Sequence, residues 1–338
     1  MKRNVFIGLG IMILATAASC SKKDKITVPE KLPAVYIAGS FRHADGDERG
    51  GLWKDSTGLV KEGSPYSYFS DVFIEGKDVY VCGGVEMEGI SYWKNGIQTR
   101  LTDGTYAAAA NAVFVNNGDV YVAGYEKNAA GNFVGKYWKN GTPVLLTADG
   151  FYGEAVDIVV QGTDVYVVGK KDGKIVYWKN GELTTIHDAS NTFVTKIFVD
   201  KTDVYIAGST FNGSGMKTAV YWKNGTVVTV TDGTNSAQLM DIAVHNGDVY
   251  VSGSESHSGR SFAKFWKNGK AVTLSDATSS SAYAAGIAVW GQHVFVVFTE
   301  TTAAYENIVR YWHNGKVMKV SDKKISSYGY ALGFQLPD

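Results

Sequence analysis

The sequence has 338 residues, of which 45% are hydrophobic and 20% are charged, with 39 glycines and only 5 prolines. This is the composition of an ordinary folded protein that is long enough to bury a large core. The 33 basic and 33 acidic side chains give a formal net charge of +0 at pH 7. Nothing in the charge balance therefore indicates a nucleic-acid partner.

Residues 1–19 have the pattern of a secretory signal peptide. Lys2 and Arg3 are followed by an apolar stretch, 5–15, that is too short to span a bilayer. The segment Ala17-Ala18-Ser19-Cys20 resembles a bacterial lipobox, and the resemblance implies cleavage before Cys20 and acylation of that residue. The alternative is an ordinary signal peptide that happens to contain a cysteine. Residues 20–32 are polar and aperiodic, so we expect a flexible tether after the lipidated cysteine.

From residue 33 onward the sequence repeats a tryptophan-centred motif. Its commonest form is Tyr-Trp-Lys-Asn-Gly, as at 92–96, 137–141, 177–181 and 221–225. Successive copies place their tryptophans 40 to 46 residues apart, a spacing typical of repeat architectures. The seven positions are Trp53, Trp93, Trp138, Trp178, Trp222, Trp266 and Trp312.

Each repeat reads as four short strands, which we call a, b, c and d. A β-branched run (a) precedes an Asp-Val-Tyr-Val run (b), then the tryptophan motif (c) and a short final segment (d), as in 113–115, 119–122, 137–141 and 143–147. Asn-Gly pairs between c and d are strong hairpin signals. No segment after residue 32 has a convincing helical period. Four-stranded repeats of this length predict a β-propeller.

The two ends of the repeat region predict how the ring closes. The first b-type run, 34–39, has no a-strand before it, and 332–336 resembles an a-strand with no repeat after it. We therefore predict an all-β, seven-bladed propeller over 33–338, with four antiparallel strands per blade. The C-terminal strand should join the N-terminal blade and so remove an exposed sheet edge.

The repeats resemble those of known propeller families. The architecture is similar to that of WD-repeat and other seven-bladed propellers, but the Gly-His and Trp-Asp signatures of WD repeats are absent. With repeated Asp-Val-Tyr-Val-Ala-Gly and Tyr-Trp-Lys-Asn-Gly units, the chain looks most like lipoprotein propellers of Gram-negative bacteria. That resemblance implies a lipid-anchored protein of the cell envelope, in the outer membrane, facing either the periplasm or the surface.

The motif residues themselves are predicted to be structural. A tryptophan in every blade suits packing between blades, and the aspartate that opens strand b can accept hydrogen bonds from turn amides. Cys82 occupies a position that holds Ala123 and Val168 in other repeats. It is therefore interpreted as a small buried side chain rather than a reactive thiol.

Variation between the repeats points to one face of the propeller. The b–c and d–a connections share a face and are the varied ones, so we predict that this face binds the ligand; unconstrained drift is the alternative. Aromatic residues in or near the d–a connections could rim the central funnel and stack on sugar rings, or could simply fill gaps between blades. The candidate ligand-binding residues are Tyr66, Tyr106, Tyr152, Phe193, Tyr283 and Tyr328, together with Arg42 and His43 of the first b–c loop.

Catalytic and metal-binding patterns are weak in this sequence. None of the 6 histidines has the spacing of a metal-ligand pair. Asp45-Gly46-Asp47-Glu48 could bind Ca²⁺, but an exposed acidic turn is favoured. We therefore assign no catalytic residue, cofactor or metal, and expect a monomeric module that binds a protein or a glycan. The alternatives are a polysaccharide lyase or hydrolase, with the funnel-rim tyrosines, His43, His257 and the first-loop carboxylates as candidates, and a purely structural envelope scaffold.

Overall fold

The computed structural model describes residues 31–55, 58–148, 152–188, 191–276, 278–321 and 326–337. The predicted signal peptide, Cys20 and most of the predicted tether lie outside these residues. Pro33–Asp338 is one structural unit. The part of the chain that the structure describes contains no helix long and apolar enough to cross a membrane.

The described residues form seven antiparallel sheets of four strands each. The first three strands are β1 (Ala34–Arg42), β2 (Glu48–Lys54) and β3 (Leu59–Pro65). Blades 2, 3 and 4 are β4 (Ser67–Glu75), β5 (Asp78–Val85), β6 (Gly89–Lys94), β7 (Ile97–Arg100); β8 (Ala108–Asn116), β9 (Asp119–Lys127), β10 (Phe133–Lys139), β11 (Thr142–Leu145); and β12 (Gly153–Gln161), β13 (Asp164–Lys171), β14 (Lys174–Lys179), β15 (Glu182–His187).

The remaining strands complete the ring. Blades 5, 6 and 7 are β16 (Phe193–Asp200), β17 (Asp203–Phe211), β18 (Lys217–Lys223), β19 (Thr226–Thr229); β20 (Ala237–His245), β21 (Asp248–His257), β22 (Arg260–Lys267), β23 (Lys270–Thr273); and β24 (Ser281–Trp290), β25 (His293–Thr301), β26 (Asn307–His313), β27 (Lys316–Lys319). The last strand, β28 (Ser327–Gln335), pairs with β1 as the a-strand of blade 1. The predicted seven-bladed propeller and its closure by the C-terminal strand are therefore confirmed.

The hydrophobic core lies between neighbouring blades, with one cluster at each of the seven blade interfaces. In one cluster Trp138 of blade 3 packs with Tyr80 and Cys82 of blade 2. Trp138 is fully buried, so its large ring contributes to the interface almost entirely through apolar contact. Cys82 is also buried, as the comparison with Ala123 and Val168 predicts. Burial raises the pKa of its thiol.

A β-bulge in every a-strand decides which side chains face the axis. In blade 3 the register with β9 shifts between Ala110 and Ala112. The repeated glycine on the b-strand makes room for this irregularity, because a Cβ on Gly124 would lie 1.9 Å from the carbonyl oxygen of Ala109. The residue that follows each bulge takes the same position in all seven blades. In chain order these residues are Asp71, Ala112, Asp157, Lys196, Asp241, Gly286 and Ala331.

Candidate ligand-binding site

The propeller has two chemically different faces. The a–b and c–d connections, such as 117–118 and 140–141, form what we call the turn face. The b–c and d–a connections, such as 128–132 and 101–107, form the loop face. On the turn face Asn140 and Gly141 have φ values of 50° and 85°, as a two-residue hairpin turn requires. The loop face carries the variable segments and contains the predicted ligand-binding residues.

The repeated motif builds the turn face. In blade 3 Lys139 Nζ lies 2.8 Å from Asp119 Oδ2, and Asn140 Nδ2 donates to Asp119 Oδ1 at 2.8 Å. These two partners lower the pKa of Asp119. The aspartate therefore binds side chains of the next hairpin rather than the turn amides expected from sequence. The corresponding pair recurs in blades 2 to 6, which supports a structural role for the motif.

Four charged side chains meet on the propeller axis. Lys196 Nζ lies 3.2 Å from Asp157 Oδ1 and 3.4 Å from Asp71 Oδ2. Asp71, Lys196 and Asp241 line both a cavity of about 370 Å³ on the turn-face side and one of about 270 Å³ on the loop-face side. The charged cluster thus lies between the two cavities and divides the axial space.

The three axial carboxylates also hold neighbouring blades together. Asp157 Oδ2 accepts the Ile197 backbone N–H at 2.8 Å, and Asp71 Oδ2 accepts that of Val113 at 3.0 Å. Burial raises the pKa of Asp157 to about 6 and that of Asp241 to about 7. Burial alone would lower the pKa of Lys196, but the surrounding carboxylates raise it well above its usual value. The half-buried amine of Lys196 therefore balances the charge of three acids, which in turn bind backbone amides of neighbouring blades.

A surface depression lies on the loop face of blades 1 to 3 and forms a groove. It consists of adjoining cavities of about 580, 290 and 650 Å³. Tyr66 lines the first two and Tyr106 lines the last two, so each tyrosine lies at the boundary between two neighbouring cavities. We call it the loop-face groove; its lining includes Glu48, Tyr66, Tyr68, Glu86, Tyr106 and Lys127.

Local backbone geometry presents both tyrosines to solvent. Tyr66 is the single residue between β3 and β4, has a φ of 56°, and leaves 56% of its surface exposed. The carboxylate of Asp47 accepts a hydrogen bond from the Tyr66 hydroxyl and raises its pKa. Tyr106 is 41% exposed and lies in a loop that is ordered by Asp103 Oδ1, which accepts the Thr105 backbone N–H at 2.8 Å. Both tyrosines therefore present exposed rings on the loop face, and we call them the platform tyrosines.

Charged groups of both signs surround these platforms. Lys136 Nζ lies 2.8 Å from Glu126 Oε2, and Lys127 Nζ lies 4.6 Å from the centre of the Phe133 ring. Near the axis, Ser40 Oγ donates to Glu48 Oε1 at 2.7 Å and lies 3.0 Å from the Tyr330 hydroxyl. Exposed aromatic faces next to carboxylates and cations suit a ligand with both apolar ring faces and hydroxyl groups.

The other predicted aromatic residues are distributed around the ring. Tyr152 is exposed, with its ring 5.2 Å from that of Phe133. Phe193 is exposed between Lys170 and Lys217, whose amines lie 4.8 and 4.6 Å from its ring centre. Only Tyr66 and Tyr106 of the predicted set share the loop-face groove.

Two predicted tyrosines are partly buried near blade 7. Burial raises the pKa of Tyr283 to about 12, and the Tyr328 hydroxyl accepts a hydrogen bond from Asn307 Nδ2 at 2.7 Å. None of the six predicted aromatics lines the axial cavities, where the loop-face side contains Tyr330 instead. Of the two alternatives for these aromatics, a rim on the axial cavities is not seen, and the loop-face groove begins beside Tyr330 instead.

The first b–c loop forms an ion cluster. Arg42 is the exposed last residue of β1, and His43 Nδ1 lies 2.9 Å from Asp45 Oδ2. Arg49 bridges Asp45 and Glu62, and the Asp47 backbone N–H lowers the pKa of Asp45. Within the described residues, no group of three or more His, Cys, Asp or Glu side chains is arranged to hold a metal ion.

Comparisons with known proteins agree on the fold. No protein-family model and no curated protein matches the sequence. The structure is similar to the β-propeller domain of the Trilobed protease from Pyrococcus furiosus, with a TM-score of 0.53 at 11% identity over 87% of this chain and 96% of that one. It is also similar to the BP39L lectin from Burkholderia pseudomallei, with a TM-score of 0.52 at 12% identity over 84% and 95% of the two chains.

A third solved structure matches over only part of its length. A puromycin-hydrolyzing peptidase from Mycobacterium tuberculosis gives a TM-score of 0.57 at 10% identity, over 87% of this chain and 53% of that one. At these identities the comparisons show a shared β-propeller fold. Because unrelated functions recur on one fold, the function must be argued from the site.

Proposed function

We propose that the protein is a carbohydrate-binding β-propeller whose ligand occupies the loop-face groove. The observation that carries the proposal is that Tyr66 and Tyr106, both exposed, line neighbouring cavities of the loop-face groove together with the carboxylates of Glu48 and Glu86. Tyrosine rings can pack on the apolar face of a sugar, while carboxylates accept hydrogen bonds from its hydroxyls. The lectin with a similar fold supports the proposal as a precedent for glycan binding on this architecture.

Glycan binding should depend on the two platform tyrosines. Full-length protein would be screened on a glycan array, and the dissociation constant of any ligand found would be measured by calorimetry. Because an aromatic packing contact contributes about 0.5–1.5 kcal/mol beyond area burial, Tyr66→Ala and Tyr106→Ala should each weaken binding about threefold to tenfold. Phenylalanine at either position should retain most of the affinity.

Tyr305→Ala is the matched control. Tyr305 lies on the loop face of blade 7, is 82% exposed and has a φ of 60°, close to that of Tyr66. Its replacement should leave glycan affinity unchanged. Binding that survives both groove substitutions would place the ligand elsewhere. A complete absence of glycan ligands would instead favour a protein partner for this face.

A second candidate function is cleavage of a polysaccharide in the same groove. Glu48 and Glu86 line one cavity together with Tyr66. Most glycoside hydrolases use a pair of carboxylic acids as their catalytic residues. Incubation of the protein with any glycan that binds distinguishes the two functions. Turnover that disappears in both Glu48→Gln and Glu86→Gln would make the protein an enzyme, whereas unchanged substrate supports a binding module.

We further propose that Cys20 is lipidated and anchors the propeller to the outer membrane. The support is the lipobox-like segment 17–20, and each methylene of an acyl chain that is buried in a bilayer contributes about 0.8 kcal/mol. In a Gram-negative host, Cys20→Ala should move the protein from the membrane fraction to the soluble fraction. Cys82→Ala, which changes the buried cysteine, should leave it in the membrane fraction. Membrane retention of the Cys20→Ala protein would refute the anchor.

A further inference from the structure

The turn face of blades 2 to 6 repeats one charged arrangement. In each blade the first residue of strand b is an aspartate, and the last residue of strand c is a lysine whose amine lies 2.7–2.8 Å from its carboxylate. The lysine amine also lies 5.1–5.3 Å from the ring centre of a tyrosine on strand b. The five ion pairs are Asp78–Lys94, Asp119–Lys139, Asp164–Lys179, Asp203–Lys223 and Asp248–Lys267.

Blade 7 replaces all three members of this arrangement. His293 takes the position of the aspartate, His313 that of the lysine, and Phe295 that of the tyrosine. His293 Nδ1 and His313 Nε2 lie 3.0 Å apart. The His313 ring stacks on Phe295 with centroids 4.3 Å apart and an interplanar angle of 3°, and Trp290 stacks on His293. Where blades 2 to 6 have an Asp–Lys ion pair, blade 7 therefore has two imidazoles, each of them stacked on an aromatic ring.

The distance between the two ring nitrogens suits chelation of one metal ion. Imidazole–metal bonds are about 2.0–2.1 Å long, so two ligands at right angles on one ion have nitrogens about 2.9 Å apart. The stacked rings fix both imidazoles near that separation, which reduces the rotamer entropy that binding would cost. Both histidines are half-buried beside the exposed turn 314–315, so an ion can reach them from solvent.

We propose that His293 and His313 form a two-histidine site for one divalent transition-metal ion of the Cu²⁺, Ni²⁺ or Zn²⁺ class. Imidazole favours these ions, whereas Mg²⁺ and Ca²⁺ prefer oxygen ligands. Binding replaces the nitrogen-to-nitrogen hydrogen bond with two metal–nitrogen bonds, and the imidazole that donates in that hydrogen bond then carries its proton on its other ring nitrogen. The contact of Asn314 Nδ2 with His293 Nδ1, at 3.3 Å, is given up when the metal ion binds. Two protein ligands leave open coordination positions for water or for a donor atom of another molecule. The site lies on the turn face and is independent of the proposed glycan groove.

The repeats themselves supply the decisive variant. His293→Asp combined with His313→Lys installs the ion pair that five other blades already contain, so the turn face should keep its structure. Calorimetric titration of tag-free, full-length protein with Ni²⁺ should show one ion bound per chain, and the double variant should bind at least about tenfold more weakly. Mg²⁺ should not bind. His245→Ala, which removes a histidine from the turn face of blade 6, should leave Ni²⁺ affinity unchanged.

A second measurement needs no variant. Ni²⁺ should protect His293 and His313 of the wild-type protein from modification by diethyl pyrocarbonate, with the modified sites read by mass spectrometry. Wild-type protein that binds no Ni²⁺ would overturn the proposal. So would a double variant with wild-type affinity, or protection confined to other histidines. Loss of glycan binding in the groove variants would affect none of these results, because those variants leave blade 7 unchanged.

Discussion

Lys196→Met is expected to lower the free energy of unfolding by about 3–5 kcal/mol at pH 8, because it leaves buried carboxylates without their cation. Lys196 Nζ lies 3.2 Å from Asp157 and 3.4 Å from Asp71, and Asp241 also contributes to the raised pKa of the lysine. Methionine fills a similar volume with flexible apolar atoms. The loss should therefore be mainly electrostatic rather than the result of a cavity.

The size of this effect should depend on pH. Burial raises the pKa of Asp157 to about 6 and that of Asp241 to about 7, above an unfolded value of about 3.9. When the pKa of an acid is higher in the folded than in the unfolded protein, the acid stabilises the fold fully at pH values below its unfolded-state pKa. This contribution is lost as the pH rises through its folded-state pKa. Without Lys196 both pKa values rise further, so more stability is lost by pH 8. The destabilisation should consequently be smaller at pH 5 than at pH 8.

Denaturant unfolding of wild type and variant at pH 5 and pH 8 tests both parts of this prediction. Lys223→Met is the control, because Lys223 makes the exposed ion pair with Asp203 on the turn face, and exposed pairs contribute little. Its effect should be much smaller and should change little between the two pH values. Equal effects of the two substitutions, or a Lys196→Met effect that is larger at pH 5, would contradict the proposed role of the axial cluster.

The blade count and the closure could be predicted because they depend on short-range signals. Asn95 and Gly96 adopt φ values of 50° and 84°. The same Asn-Gly turn joins strands c and d in blades 2 to 7. Trp178 is buried in the blade interface, as a large apolar residue on a repeated strand should be. The four strands of each repeat can therefore be predicted from its own sequence. One a-strand is missing at the start of the ring and one is left over at its end, so the two ends are expected to pair and complete a blade.

The axial cluster could not be predicted in this way, although a signal was present. Asp71, Asp157 and Lys196 meet only because the ring brings three a-strands together and a bulge turns the next residue toward the axis. In sequence each looks like an isolated charge within a β-branched run. The corresponding position is charged in four of the seven blades and holds Ala112, Gly286 or Ala331 in the other three, so the signal was a charge that recurs at one position of an otherwise apolar strand.

The loop-face groove could not be predicted from the sequence, because it is formed by loops that differ from one repeat to the next. Tyr66 and Tyr283 both lie near the start of an a-strand, yet Tyr66 is exposed and Tyr283 is partly buried. Tyr66 is the single residue that joins β3 to β4, whereas Tyr283 is the third residue of β24 and packs against the core between blades 7 and 1. Neighbouring loops then decide which rings face a cavity. The sequence analysis therefore named two tyrosines that line the groove, but it could not show the groove itself.

Removal of β28 is expected to abolish cooperative folding of the propeller. A chain that ends at Ser326 leaves blade 1 with three strands and exposes the edge of β1 along its register from Ala34↔Gln335 to Phe41↔Ser327. It would also uncover Val35 and Ile37, which are buried in the interface between blades 7 and 1. Each such side chain contributes about 1.5–3 kcal/mol. The summed loss approaches the roughly 5–15 kcal/mol that stabilises a typical domain.

The contacts of β28 reach beyond its own blade. The Phe334 ring lies 4.8 Å from that of Phe295 in blade 7, and the Gly329 backbone N–H donates to Thr299 Oγ1 at 3.1 Å. The strand therefore joins blade 1 to blade 7 as well as completing a sheet. Without it the ring has an open seam and an unpaired strand edge, which favours aggregation.

Thermal unfolding followed by circular dichroism and gel filtration would test this prediction. The truncated chain should aggregate or lack a cooperative transition, whereas a chain that ends at Gln335, and so keeps the whole of β28, should unfold like the full chain. A synthetic peptide spanning 326–338, added during refolding, should restore a cooperative transition because it can pair with β1 in the same register. A wild-type melting temperature for the chain that ends at Ser326 would show that the three remaining strands of blade 1 are sufficient, and that closure by β28 is not what stabilises the ring.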